Sequence, residues 1–254
     1  MQKLSCDILI LGGGAAGLTA AISASLNGAK NIIIVDKNAR VGKKLAVTGN
    51  GRCNITNKNL NKENYHGDND FAMKFIEQFG YNETLDFFKK LGVIIKTEEN
   101  GKAYPYSLQA SSVVDAMRFK CDALKVKTII DCEITKLFKK DNKFIAFSSD
   151  YEFTAKAIVL AFGGVAGGAQ YGTDGTAFNL VPQFKLIKQK PVIVQLKTEN
   201  NITRVLKGIK VNAKVTINDK TDFGEVLFCD YGLSGPPIMQ LSREVERHAG
   251  DKVI

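Results

Sequence analysis

Histidine is nearly absent from this chain of 254 residues, which has only His66 and His248. Neither stands beside a nucleophile motif, so a hydrolase built on a Ser–His or Cys–His pair has no support. His66 lies in the polar run Tyr65-His66-Gly67-Asp68 and reads as a solvated side chain. Cysteine is sparse as well. Cys6, Cys53, Cys121, Cys132 and Cys229 are scattered, with no C-x-x-C pair and no metal-type spacing. An odd, unpatterned set argues against a disulfide framework and for free thiols in a reducing, cytoplasmic setting, with no metal. No run approaches the roughly twenty apolar residues of a membrane span. Met1-Gln2-Lys3-Leu4 leads directly into an apolar strand, without a signal-peptide pattern. Acidic residues are in deficit, 26 against 35 Lys and Arg, for a net charge of +9. The densest basic stretch, Lys185 to Lys220, opposes its Lys and Arg residues only with Glu199 and Asp219. No RNA-binding aromatic signature or helix-turn-helix pattern accompanies it. It therefore reads as a lysine-rich surface attractive to anionic ligands, with nucleic acid not expected as a partner. Oligomeric state leaves no mark in the sequence.

What is present is concentrated at the start. Cys6 to Leu11 is an apolar strand, and Gly12, Gly14 and Gly17 give G-x-G-x-x-G. An uncharged, alanine-rich helix follows over Ala15–Asn27, and a second strand runs through Asn31-Ile32-Ile33-Ile34-Val35-Asp36. The glycines serve a tight turn, close backbone approach to a pyrophosphate, and close helix–strand packing. Free N–H groups at Ala15 and Ala16, with the positive end of the helix dipole, face the phosphates. Asp36 ends the second strand, where its carboxylate can accept two ribose hydroxyls. Strand, glycines, helix, strand and terminal acid in this order indicate an adenine dinucleotide site.

Residues 37–70 read as a long functional loop. Phe71–Leu91 has helical spacing, with Phe75, Phe79, Leu85, Phe88 and Leu91 on apolar faces. Gly80 is expected to divide it and Asn82 to cap the second helix. Val93 starts a strand, Glu98–Tyr106 is a polar loop, and Ser111 or Ser112 caps a helix to about Leu124. Thr128–Leu137, Phe144–Ser148 and Glu152–Ala155 form a meander of strands. Ala157–Ala161 is a buried parallel strand that ends in the turn Phe162-Gly163-Gly164. From Pro191 the texture turns to antiparallel strands over Val192–Val194, Lys210–Ile217 and Glu225–Phe228, and Asp230–Pro237 is a dense turn. The expected organisation is an α/β domain over 1–189 and the start of a β-rich domain over 190–254. The last residues, Asp251–Ile254, read as a strand beginning.

The loop Gly42-Lys43-Lys44-Leu45-Ala46-Val47-Thr48-Gly49-Asn50-Gly51-Arg52-Cys53-Asn54-Ile55-Thr56-Asn57 resembles a signature of aminoacetone-oxidase-like or bile-acid-reductase-like FAD-dependent oxidoreductases. Further blocks with the same resemblance are Gly101–Pro105, Gln109–Ala116, Leu160–Gly164, Gly172-Thr173-Asp174-Gly175 and Tyr231–Pro236. The resemblance implies a Rossmann-like FAD/NAD(P)-binding domain of glutathione-reductase type, a parallel sheet plus a β-meander. It implies two-electron hydride transfer on a small carbonyl, amine or steroid-like substrate, with NADH or NADPH as a candidate donor. On this reading Lys43 or Lys44, with Arg52, neutralises the pyrophosphate. Loop amides from Thr48 through Gly49 to Gly51, with Cys53 and Asn54 beside them, approach the flavin. The backbone near Ile134 holds the adenine edge, Ala161, Phe162 and Gly163 return to the cofactor, and Asp174 joins the site.

Alternatives stand beside these assignments. Arg52 and Asn54 can instead serve hydrogen bonds within the loop, and Lys37 and Arg40 can be exposed surface rather than adenosine contacts. Cys53 lacks the second cysteine of a disulfide reductase. It is either a buried filler or a single-thiol flavin neighbour. Tyr104 or Tyr106 is either a proton donor to substrate or packing over the loop. No catalytic residue is assigned. Phe162 stands where the family has Thr, and Ala166–Gln170 replaces a Ser-x-Pro-like segment. Members of the family continue well beyond 254 residues, so the chain is expected to be an N-terminal part. A truncated FAD-binding module without turnover, and a relative of tRNA-modifying flavoproteins, are the competing readings.

Overall fold

The computed structural model describes residues 1–187, 189–199 and 201–245. The chain forms two compact units, Met1–Lys185 and the residues from Leu186 onward.

The first unit opens with β1 (Gln2–Leu11), α1 (Ala15–Leu26) and β2 (Ile32–Val35). β1 and β2 run parallel, with Ile10 opposite Ile34 and Leu11 opposite Val35. Short β3 (Thr56–Asn57) is followed by α2 (Asn69–Ile76) and α3 (Tyr81–Lys90), then β4 (Ile95–Thr97) and β5 (Lys102–Pro105). β3, β5 and β4 form a small antiparallel sheet with β5 in the centre. The sequence patterns predict a polar loop across 98–106. Burial of Ala103, Tyr104 and Pro105 makes half of it a strand instead. Gly80 does divide the two helices, but Gly80 itself is the cap: its N–H donates to Glu83 Oε2, while Asn82 lies inside α3. Phe71, Phe75 and Phe79 are exposed, so the expected apolar face is only partly covered.

α4 (Ala110–Ala123) begins ahead of both serines expected to cap it. Ser112 Oγ instead pairs with Ser107 Oγ and donates to the Gln109 carbonyl. β6 (Lys127–Ile129), β7 (Lys136–Lys140), β8 (Lys143–Phe147) and β9 (Tyr151–Leu160) complete a six-stranded sheet in the order β6-β2-β1-β9-β8-β7. Two boundaries differ from the expected ones. Thr128–Leu137 is broken by Asp131 at φ +51°, so β6 joins the parallel strands and β7 the meander. The predicted third meander strand and the following parallel strand are one element, β9. It pairs antiparallel with β8 through Glu152–Ala155 and parallel with β1 along its whole length.

The centre of the sheet is buried on both faces, which is why the end of β1, Ile8–Leu11, and all of β2 read as continuous apolar runs. Ile10, Ile32 and Ile34 pack with Leu18, Ile22, Val113 and Met117 of α1 and α4. Leu9, Leu11, Ile33 and Val35 pack on the other face with Ala146 and Phe153 of the meander.

The second unit contains β10 (Leu196–Lys197), α5 (Ile202–Val205), β11 (Lys210–Ile217), β12 (Lys220–Cys229), β13 (Gly232–Ser234) and α6 (Pro236–Leu241). Its antiparallel sheet has the order β10-β13-β12-β11. Val192–Val194 forms no strand. The expected turn at 230–237 holds a strand and the start of a helix instead. Gly232, at φ +154°, lets β13 approach β10 so closely that a Cβ would lie 2.1 Å from the Leu196 carbonyl oxygen. Prolines at the first turn then start α6. His248 and Asp251–Ile254 lie outside the described residues.

Candidate cofactor cleft

The carboxyl ends of β1, β2 and β9 open onto a cleft of about 750 Å³ in the first unit, a volume in the range of small-molecule and cofactor sites. Its floor is the glycine turn. Gly12 takes φ +107°, and a Cβ there would sit 2.4 Å from the Ala161 carbonyl oxygen, so only glycine lets β1 and β9 leave the sheet side by side. A Cβ on Gly17 would lie 1.8 Å from the Gly12 carbonyl oxygen, which fixes α1 against the turn. Gly17 is therefore buried packing and not cleft lining. Gly14 is the reverse case: nothing lies within 4 Å of where its Cβ would be. Beyond it, Ala15 and Ala16 are exposed in the cleft, and α1 has no side-chain cap and no acidic residue in its first turn. Unclaimed N–H groups and the helix dipole thus face open space, a ready anion site.

Asp36 lies at the edge of this floor and is 9% exposed. Its Oδ2 accepts the Gly13 N–H at 2.7 Å, and its Oδ1 accepts the Asn38 N–H at 2.8 Å and the Asn38 amide at 2.9 Å. The acid expected to bind ribose therefore also ties the glycine turn to the end of β2. A carboxylate has about four acceptor positions, so one remains for a ligand.

One wall carries Lys37, Asn38, Lys43, Lys44 and Thr48, and the opposite wall carries Ile134 between Cys132 and Thr135. Lys43 Nζ donates to Asn38 Oδ1 at 3.4 Å, and Lys44 Nζ to the Ala166 carbonyl at 3.1 Å. Ala161, Phe162 and Gly163 close the bottom, and Tyr171, Gly172, Thr173, Thr176 and Leu180 form the roof. Asn38 and most of this roof were not among the sequence candidates. The glycine-dense stretch 163–175 was the available signal. Asp174 sits beside the roof with its carboxylate on Lys37 Nζ, at 3.0 Å, rather than in the cleft. The Thr176 hydroxyl, then Lys37, hold this carboxyl well below the usual carboxylate range.

The loop at 48–54 contributes only Thr48 to the cleft. Gly49, Gly51, Arg52, Cys53 and Asn54 turn back on themselves: the Cys53 N–H donates to the Thr48 carbonyl, and the Gly51 carbonyl accepts the first N–H of α4. Arg52 lies over the Tyr104 ring at 4.5 Å, with its NH1 3.5 Å from Glu98, so its contacts are neither with the cleft nor within its own loop but with the β4–β5 hairpin. Tyr104 is buried and Tyr106 exposed; neither lines the cleft. Cys53 is buried, and burial pushes its thiol up despite the Thr48 hydrogen bond, which fits a filler better than a thiolate. Among the described residues no group of three His, Cys, Asp or Glu could hold a metal, and no helix is long and apolar enough to cross a membrane.

The chain is similar to several known proteins. The chain is 35% identical over 247 residues to the 3-dehydro-bile acid delta(4,6)-reductase of Clostridium scindens, covering 94% of this chain and 60% of that protein. It is 25% identical over 249 residues to the ribosomal RNA dihydrouridine synthase of Escherichia coli, covering 93% of this chain and 60% of that one. The chain thus spans about 60% of the length of these curated relatives. A quinol fumarate reductase FrdA structure from E. coli superposes with a TM-score of 0.57 at 17% identity, over 84% of this chain and 44% of the other. Mycobacterium smegmatis Sdh1 superposes at 0.50 with 19% identity, over 65% and 35%. At such identities these two likenesses speak for the fold alone. Residues 6–225 match the HI0933-like protein Rossmann domain, so the chain belongs to the HI0933-like family.

Proposed function

We propose that the cleft holds FAD and that the protein is an FAD-dependent oxidoreductase. The observation that carries this reading is the open space over Gly14, where the uncapped start of α1 faces a cleft with Asp36 at its edge. An extended, doubly charged dinucleotide fits that set. Asp36 would accept a ribose hydroxyl in its remaining acceptor position. The N–H groups of Ala15 and Ala16 would face the pyrophosphate, with Lys43 and Lys44 supplying positive charge from the wall. The backbone near Ile134 would meet the adenine edge, and Ala161, Phe162 and Gly163 would lie beneath. When bound, the flavin supplies reversible two-electron chemistry, and the chain's residues bind it, orient it and keep water from it.

The substrate proposed is a small carbonyl, amine or steroid-like compound, with NADH or NADPH as donor. A relative at 35% identity that is named for reducing a 3-dehydro-bile acid favours the steroid-like choice. The test is the visible spectrum of the purified chain with added FAD, then with NADH or NADPH under anaerobic conditions. A bound flavin band that bleaches with the nicotinamide supports a working site, and a protein that takes up no FAD refutes the cofactor assignment. A second reading, action on RNA, is favoured by the ribosomal RNA dihydrouridine synthases at 25% and 23% identity. It requires tight RNA binding with a steep salt slope, and binding no stronger than that of a generic basic protein ends it.

A further inference from the structure

The chain from Gly163 to Leu180 follows the end of β9 and lines the cleft with Gly163, Tyr171, Gly172, Thr173, Thr176 and Leu180. It is hinged by glycines: Gly163, Gly167, Gly168, Gly172 and Gly175 all have positive φ. Side chains give it a shape of its own. Buried Thr173 donates its hydroxyl to the Ala166 carbonyl at 2.7 Å, and the Asp174 carboxylate accepts the Thr176 N–H and hydroxyl. Its far end is seated by aromatic packing, with Phe178 edge-on to Phe162 at 5.8 Å.

Between these ends the segment is held at three points to the wall of Lys37, Asn38 and Lys44. Lys37 Nζ meets Asp174 Oδ2 at 3.0 Å and Oδ1 at 3.2 Å, with Glu133 3.8 Å away on the other side. The Asn38 amide reaches the Tyr171 carbonyl at 3.5 Å, and Lys44 Nζ reaches the Ala166 carbonyl at 3.1 Å. All three anchors come from the short run after β2. The other fastenings are single contacts to backbone carbonyls, whereas Lys37–Asp174 joins two opposite charges.

We propose that residues 163–180 are a strap closing the cleft, and that the Lys37–Asp174 pair is its latch, so these side chains position the roof rather than bind the ligand themselves. Opening the latch frees the glycine-hinged stretch around Gly167–Gly172 while Phe178 keeps the far end seated on Phe162. Ligand entry and exit then follow strap motion, with the sheet and α1 left rigid. Because Asp174 stays ionised far into acid, the latch answers to ionic strength and not to pH near neutrality.

The test uses the 254-residue chain without ligand. Hydrogen exchange across 163–176 and chymotryptic cleavage after Tyr171 are compared for wild type, Asp174→Asn, Lys37→Met and the double variant Lys37→Met/Asp174→Asn. Both single variants should exchange and cleave about three- to fivefold faster, the range for a partly exposed ion pair. The double variant should be no faster than the faster of the two single variants, because both remove the same pair. Added salt should speed wild type toward the Asp174→Asn rate and leave that variant unchanged. Wild-type protection in Asp174→Asn, or additive effects in the double variant, overturns the latch. A second arm, which rests on the FAD reading, measures FAD release. Release should quicken in both single variants, and unchanged release beside faster exchange overturns control of the ligand by the strap. If wild type takes up no FAD, the cofactor reading fails, while the exchange data on the unliganded chain still decide the latch.

Discussion

Replacing Asp36 by alanine removes a carboxylate that accepts three hydrogen bonds inside the protein, whatever else it binds. The Gly13 N–H is left buried without an acceptor, which costs about 1–3 kcal/mol. The Asn38 groups are only partly buried and can turn to water, so they add less. The expected loss in unfolding free energy is therefore about 2–3 kcal/mol in the unliganded chain. FAD affinity should fall by a further ~1–3 kcal/mol if the remaining acceptor position serves a ribose hydroxyl. With no tryptophan in the chain, urea unfolding is best followed by far-ultraviolet circular dichroism. FAD affinity is measured separately, on samples shown to be folded. Asp36→Asn separates the two parts, because its single amide oxygen can still accept from Gly13 but cannot also serve Asn38. It should keep more stability than Asp36→Ala while losing comparable affinity. A stability loss below about 0.5 kcal/mol in Asp36→Ala would refute the anchoring argument, since an orphaned buried N–H cannot cost so little. Unchanged FAD affinity would mean that no ribose hydroxyl reaches the acid.

Four further expectations follow from the structure. Gly12→Ala forces a Cβ to 2.4 Å from the Ala161 carbonyl oxygen at a φ of +107° and should lose about 3 kcal/mol or fail to fold. Gly14→Val should fold but bind FAD weakly, because its side chain enters only open cleft; thermal melts and flavin titration check the pair. Phe162→Thr should cost about 0.5–1.5 kcal/mol beyond its lost burial by ending the edge-on contact with Phe178, and it should raise hydrogen exchange at 176–180. Burial, helped by Asp7 and Asp122, pushes Cys6 and Cys121 up to about 11. A thiol with its pKa raised in the folded state stabilises below its unfolded value and loses that contribution as pH rises. Stability should thus fall between pH 9 and 11 by about 1 kcal/mol per pH unit for each thiol, and Cys6→Ala/Cys121→Ala should flatten the slope.

The first strand-turn-helix-strand unit was legible because its signals are local. Period, glycine position and a terminal acid within 36 residues name both the elements and the close approaches they require. The meander was legible in content but not in division. Whether Thr128–Leu137 is one strand or two, and whether residues 152–160 are two or one, depends on which neighbour each stretch pairs with. Likewise, Tyr104 belongs to a strand because β3 and β4 flank it and the core covers it, although its polar neighbours suggest a loop.

The site divides in the same way. Sequence alone determined a parallel α/β core, a glycine turn opening a helix, and an acid at the end of β2, because backbone sterics and hydrophobic period act over a few residues. Tertiary structure decided which way the side chains turn once those elements are placed. Arg52 lies on Tyr104, Asp174 pairs with Lys37 across 137 residues, and Asp36 holds the very turn it follows. Hydrogen bonds and ion pairs are short-ranged in space but indifferent to separation along the chain. Their partners are therefore set by the fold, and no periodicity announces them.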